Sequence, residues 1–341
     1  MQEIFDFLSK YMRIDDFSEG INMITVRGKL NSPLDQTIPR IKEHFAHTEY
    51  IPLFDKVGDS HIIRLGIFKT PAVKQRYWLN ILLFIATIFT TIFAGYLNSG
   101  SISAGISFSF SIMAILTCHE LGHYFVSRQA GMITTLPYFI PVPFHFIGTF
   151  GAVIRMKSIV PSRSTLLRVG MAGPIAGFLV ALPITIIGIS LSTVKVVPEA
   201  GGFLKLGSSL LFYILTKVMH PHIAPNADLY LHPMAFAGWL GFLVTSMNLI
   251  PVGQLDGGHI AYSIFLKKRK YIYPLIFGAL IGLSFLWLGW LIWALLAFVF
   301  ARRDTIIQDS VTPLTKVEKL SALLPLIILF LTFIPQPFTI G

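Results

Sequence analysis

Residues Ile102 to Val126 form a predominantly apolar run that, as a helix at 1.5 Å per residue, measures about 37 Å. That exceeds the roughly 30 Å hydrocarbon core of a bilayer, so the run reads as a membrane span. Inside it lies His119-Glu120-Leu121-Gly122-His123. Two histidines four apart on a helix project from one face about one turn apart, a spacing that suits two imidazoles sharing one zinc ion. The glutamate between them is then placed as a general base. Three ionisable groups inside one apolar span are expensive to keep there and point to function. The bland alternative, a cluster that only hydrogen-bonds between helices, would bury a carboxylate with no evident cationic partner.

Composition supports the membrane reading: 341 residues, 54% hydrophobic and 13% charged, with a mean hydropathy of +0.69. The net charge of +10 does not indicate nucleic acid. Its basic residues stand at the ends of apolar segments (Lys69, Lys74, Arg76; Arg128; Lys157, Arg163, Arg168; Lys267 to Lys270), the positive-inside pattern and not a continuous basic face. The single cysteine, Cys118, excludes an internal disulfide and a cysteine-based zinc site, and reads as a packing residue. The first twenty residues carry five acidic groups and no apolar core, so no cleaved signal peptide is expected there.

Along the chain, residues 1–75 read as a small cytoplasmic α+β domain of βαββ type. Its strands are expected at Asn22–Leu30, Tyr50–Phe54 and His61–Phe68, with a helix from Ser32-Pro33 to about Ala46. Residues 76–341 read as a transmembrane domain with its core at 102–266. The fold class is a multi-pass α-helical membrane protein of about six to seven hydrophobic segments: Leu79–Leu97, Ala104–Ser127, Leu166–Leu191, Met234–Ile250, one or two in Tyr273–Phe300, and Ala322–Ile334. Basic clusters at both ends of Tyr273–Phe300 favour a short hairpin there, although each arm has only about 14 residues against the roughly 20 of an ordinary span. Between the second and third spans, prolines and the glycine-bounded stretch Gly148 to Met156 predict a membrane-associated β-hairpin or re-entrant loop. The loop 192–232 is poor in basic residues, as expected of the opposite face, with an amphipathic helix over Phe203–Met219.

A catalytic zinc takes three protein ligands and keeps a fourth position for water. His119 and His123 supply two. Asp256 is the preferred third, because it lies eleven residues before Lys267, at about the depth of the histidine pair, and is followed by two glycines. His259, three residues on, is the rival.

These motifs carry a resemblance. HELGH, the segment GTFGAVIRM (Gly148–Met156), AGPIAG (Ala172–Gly177) and Asn248-Leu249-Ile250-Pro251 followed by Leu255-Asp256-Gly257 together resemble the site-2 protease family of intramembrane zinc metalloproteases, over roughly residues 79–300. The resemblance implies one Zn2+ on His119, His123 and Asp256, Glu120 as catalytic acid/base, and Asn248 near the reacting carbonyl. It also implies a membrane-anchored protein substrate held as an added strand along Gly148, Thr149, Phe150, Gly151, Ala152 and Val153. The loop 192–232 is too short for the PDZ domain that many members insert, and the N-terminal domain is similar to that of the plastid and cyanobacterial branch. Expected partners are thus the bilayer and a membrane-anchored substrate, with no nucleic acid. The expected location is a bacterial inner membrane, N-terminus cytoplasmic. Competing readings are another membrane-embedded HExxH protease, or a transporter whose histidines and Asp256 bind a permeating cation.

Overall fold

The structure is a computed structural model that describes residues 2–68, 76–196, 204–301 and 305–340. Lys69 and Lys74, read above as flanking charges, Arg302 and Arg303, which make up the basic cluster after Phe300, and Phe203, the first residue of the expected amphipathic helix, lie outside the described residues.

The chain opens with α1 (Gln2–Ser9), β1 (Met12–Gly20), β2 (Met23–Leu30), α2 (Leu34–Phe45), β3 (Tyr50–Val57) and β4 (Ser60–Ile67). Helix α2 and strands β2, β3 and β4 occupy the stretches that alternation and turn residues marked, whereas α1 and β1 were not expected. Ile24, Val26, Ile63 and Leu65 from the strands close on Leu8, Ile38, Ile41 and Phe45 from the helices, forming a small core of their own. The sheet continues past the expected boundary at residue 75. Its order is β1-β2-β4-β3-β11-β7, where β7 is Val160–Ser162 and β11 is Ile307–Asp309. Strand β11 lies parallel to both neighbours, Asp309 opposite Phe54 on one side and Ser162 on the other.

Among the described residues, three helices are long and apolar enough to cross a membrane: α3 (Tyr77–Ser99), α4 (Ile102–Gln129) and α5 (Arg163–Ser190). Between α4 and α5 run β5 (Tyr138–Pro141), β6 (Thr149–Val153) and β7. After α5 come β8 (Thr193–Val196), β9 (Leu204–Leu206), α6 (Leu210–Met219) and β10 (Ala227–Tyr230), so the amphipathic helix expected from Phe203 begins at Leu210. Then follow α7 (Pro233–Asn248), α8 (Asp256–Phe265), a 3-10 turn over Leu266–Tyr271, α9 (Ile272–Leu283) and α10 (Gly289–Ala301), the last two packed as a helical hairpin. The chain ends with β11, α11 (Lys316–Ser321), α12 (Leu323–Thr332) and β12 (Phe338–Ile340), which pairs with β9.

Helix α7 stands in the middle of the bundle and is buried on almost every side, against α4, α5 and α12. Small residues make this possible. A Cβ on Gly188 of α5 would strike the Ala235 backbone, and one on Gly238 of α7 would strike Thr185, so these two helices cross with their backbones nearly touching. Gly95 and Gly105 do the same for α3 and α4. Helix α7 needs only 16 residues because the chain breaks at Asn248 into an irregular turn, with Gly253 at φ +58°, before α8 resumes. That break delivers Asp256 to the interior.

Candidate active site

The HELGH turn sits in the last third of α4, with His119, Glu120 and His123 all buried. Gly122, between them, lets α4 meet the Ala172 backbone of α5. On α5, Gly173 and Gly177 form a floor without side chains: a Cβ on Gly173 would overlap the His123 ring, and one on Gly177 would come 3.1 Å from the His119 ring. His123 Nδ1 lies 2.8 Å from the Val169 carbonyl. A carbonyl only accepts, so Nδ1 carries the hydrogen and the Nε2 lone pair faces the cluster.

Asp256, the first residue of α8, meets the pair. Its Oδ2 is 3.2 Å from His119 Nε2 and its Oδ1 is 3.2 Å from His123 Nε2, while the two Nε2 atoms are 3.3 Å apart. These three residues form the sole cluster of three or more potential metal-ligating side chains among the described residues. His259 stays apart from it, buried in α8 with Nδ1 3.5 Å from Thr305 Oγ1. Cys118 remains a free thiol outside the cluster.

The backbone of Ile154, just past the end of β6, lies close to the Glu120 carboxylate. Strand β6 therefore runs up to the carboxylate. It pairs antiparallel with β5 on one side, Tyr138 opposite Val153 and Phe139 opposite Ala152, and its other edge has no strand partner among the described residues. Of the six residues expected to hold substrate, Gly148 (φ +79°) lets the hairpin approach the Thr90 carbonyl of α3. Thr149 is buried and hydrogen-bonds the Ile140 carbonyl. Phe150 and Val153 are exposed, and Gly151 (φ +92°) and Ala152 are half-buried between them. Asn248 ends α7, half-buried, and its amide has no side-chain hydrogen bond among the described residues. It is thus not occupied in bonding backbone freed by Pro251, the structural role it could otherwise have had.

The profile of Peptidase family M50 matches residues 107–289, a stretch that contains His119, Glu120, His123, strand β6, Asn248 and Asp256. The chain belongs to Peptidase family M50, the site-2 protease family. Relatives of this M50 chain include "Probable zinc metalloprotease EGY1, chloroplastic" of Arabidopsis thaliana, 32% identical over 192 residues, covering 54% of this chain and 34% of the relative. "Probable zinc metalloprotease EGY2, chloroplastic" of the same plant is 33% identical over 230 residues, covering 66% and 40%. "Probable zinc metalloprotease EGY3, chloroplastic" of Oryza sativa subsp. japonica is 24% identical over 350 residues, covering 94% and 53%. Over these alignments the M50 chain spans between a third and about half of each relative. No solved structure matches it significantly.

Four features of the M50 site escaped the sequence reading. They are the Val169 carbonyl that orients His123, the glycine floor under both rings, the Ile154 backbone on Glu120, and Asn80 of α3, whose amide donates to the Leu136 and Pro137 carbonyls and fixes the approach to β5. The glycines had a signal, their i, i+4 spacing, but the same spacing serves helix packing. Two of the other three are backbone atoms, which no residue type announces.

Proposed function

We propose that this chain is an intramembrane zinc metalloendopeptidase that hydrolyses peptide bonds in or near the transmembrane segments of membrane-anchored substrates. The observation that carries the reading is the convergence of His119, His123 and Asp256 beside Glu120 within apolar helices. The donor set fits zinc. With bonds of about 2.0–2.1 Å to nitrogen and oxygen, the edges of a tetrahedron are about 3.3 Å, and the three donors are 3.2–3.3 Å apart. Two histidines and one carboxylate leave a fourth position, as catalytic zinc requires. Zinc-metalloprotease names among the relatives point the same way.

A bound zinc ion would supply Lewis acidity, polarising a peptide carbonyl and making water acidic near neutral pH. The protein's own groups do the rest. Glu120 takes a proton from the attacking water onto its carboxylate and hands it to the nitrogen of the departing amine. The Ile154 N–H beside that carboxylate steadies its negative charge before and after the two transfers. Val169 keeps His123 in the tautomer that presents Nε2. A helical substrate hides its carbonyls in hydrogen bonds, so it must open. The free edge of β6 holds the opened segment as an added strand, ending beside Glu120. Asn248, with an uncommitted amide, donates to the carbonyl oxygen as charge develops there.

In this reading residues 1–75 form a cytoplasmic domain and 76–341 the membrane domain, with β5 and β6 a hairpin at membrane depth and α7, α9, α10 and α12 completing six to seven segments. Arg76, Arg128, Arg163 and Lys267–Lys270 end their helices on the side of the N-terminal sheet, where Lys267 pairs with Asp55 at 2.8 Å. By the positive-inside rule that side is cytoplasmic. Glu120→Ala is expected to abolish cleavage of a single-span substrate in proteoliposomes, by at least about 100-fold, while zinc content stays at one per chain. Wild-type turnover by that variant would remove the proposed base, and full zinc in Asp256→Asn would remove the proposed ligand.

A further inference from the structure

All three clustered side chains take their position from one helix, α5. The imidazoles rest on its glycines, and His123 bonds its Val169 carbonyl. Asp256 is referred to it indirectly, through α8. Helix α8 touches α5 at Gly170, where a Cβ would come 3.2 Å from the Asp256 carbonyl oxygen, His259 Cβ and Ile260 Cγ1. Ile260 and Tyr262 add apolar packing, Ile260 in a cluster with Leu167 of α5 and Tyr262 in one with Leu166 and Val169, but such contacts are non-directional and set the angle of α8 only loosely. Helix α8 is short, ten residues, and irregular backbone bounds it on both sides: Gly253 at φ +58° before it and Leu266 at φ +48° after it. The preceding segment packs closely on its first turn, where a Cβ on Gly257 or Gly258 would strike the backbone of Leu249 or Gly253.

A directional contact is made at the far end of α8. Arg163, the first residue of α5, donates from Nε to the Ser263 carbonyl at 2.9 Å and from Nη2 to the Ile264 carbonyl at 3.1 Å. Both carbonyls belong to the last turn of α8, whose acceptors have no intrahelical donor and whose end carries partial negative charge. The planar fork of arginine serves two adjacent carbonyls at once, which a lysine cannot do in fixed geometry. The Asp309 carboxylate of β11 is near enough to act electrostatically on the same guanidinium.

We propose that Arg163 is a positioning residue for Asp256: by fixing the far end of α8 on α5, it sets the angle at which the carboxylate meets His119 and His123. A tilt of about 10° about Ile260 would carry Asp256, four residues or ~6 Å away along the helix, by about 1 Å. Metal–ligand distances tolerate only about 0.2 Å. The inference rests on the reading of the three residues as zinc ligands.

The test uses the full chain with Arg163→Lys and Arg163→Gln, and Arg168→Gln as a control on the same helix that pairs with Glu318 instead of α8. Zinc affinity is measured by competition with a chelator, the visible spectrum is recorded with Co2+ as probe, and unfolding of the metal-free protein is followed in parallel. Loss of zinc affinity by about 10–100-fold is expected for Arg163→Gln, the range for residues that orient metal ligands. Arg163→Lys, which keeps the charge but not the fork, should lose less affinity and shift the Co2+ bands while unfolding as the wild type does. Arg168→Gln should bind zinc normally. Affinities within twofold of wild type in both Arg163 variants, or an equal loss in Arg168→Gln, would overturn the proposal. If the wild type binds zinc and Asp256→Asn does not, those results sink Arg163 alone. If Asp256→Asn binds zinc as the wild type does, the metal site itself has been misread and this inference goes with it.

Discussion

The N-terminal sheet and the helical bundle hide opposite kinds of residue. In β2 the alternation is that of a protein in water: Ile24 and Val26 face the core, while Met23, Arg27 and Lys29 face outward. In α3 it is inverted. The buried positions are Asn80, Thr87, Thr91, Ala94 and Gly95, whereas Ile85, Phe89 and Phe93 point away from the protein. Thr91 and Ser109 share a 2.7 Å hydrogen bond between α3 and α4. In lipid, apolar bulk gains little by burial, so helices associate through small residues and polar contacts. The two regions thus record two solvents, a distinction that mean hydropathy alone does not draw.

Glycines give the sharpest way to break this comparison. Gly58 has φ +61° and empty space around it, so Gly58→Ala is strained only by its backbone, a cost of about 1 kcal/mol. Gly173 is helical, and its substitution by alanine drives a methyl into the His123 ring. Gly173→Ala is expected to lower zinc affinity and turnover by at least about 10–100-fold, measured by chelator competition and substrate cleavage, while Gly58→Ala leaves both unchanged. Equal behaviour of the two variants would mean the floor is not needed.

A smaller effect tests the solvent assignment. Ile21 is 100% exposed at the β1–β2 turn and Phe89 is 67% exposed in mid-α3. If both faced water, aspartate at either would change stability by no more than about 0.5 kcal/mol. With lipid around α3, Phe89→Asp should cost about 2.5–3.5 kcal/mol of insertion energy, read as lost membrane integration. Ile21→Asp should integrate like the wild type.

The smallest expected effect concerns a contact in neither core. Burial works against the charge on Glu318, but hydrogen bonds from Ser164, Thr315 and Arg168 outweigh it and hold the carboxyl at about 2. A depressed value means that the contribution is fully present above the ordinary carboxylate range and disappears as pH falls towards 2. Unfolding scans from pH 6 to pH 3 should show a loss of stability that Glu318→Gln reduces. An identical profile for that variant would assign the loss to other carboxylates, Asp55 among them. Burial opposes the charge of Asp55 too, but bonds from Lys267 and the Lys56 backbone hold it below its usual range.

How much of this was legible depended on whether the signal was local. HELGH announces itself by a four-residue spacing, and the three side chains that meet in the bundle were all readable, Asp256 through its distance from Lys267. Strands β2, β3 and β4 were readable because one of their faces is apolar. Strand β1, Met-Arg-Ile-Asp-Asp-Phe-Ser-Glu-Gly, was not, because an edge strand keeps off other strands with charge and so lacks the apolar face that marks one. Strands β7 and β11 have three residues each and are brought together across 147 positions, from Val160 to Ile307. No window of sequence contains that pairing.

Those two short strands also govern how the protein can be taken apart. With β11 seated between β3 and β7, cutting the chain before Tyr77 would strip β11 of one neighbour and leave an open flank directly beside the Arg163 clamp. Anyone trimming this molecule to a minimal unit would be removing a bearing wall, not an annex.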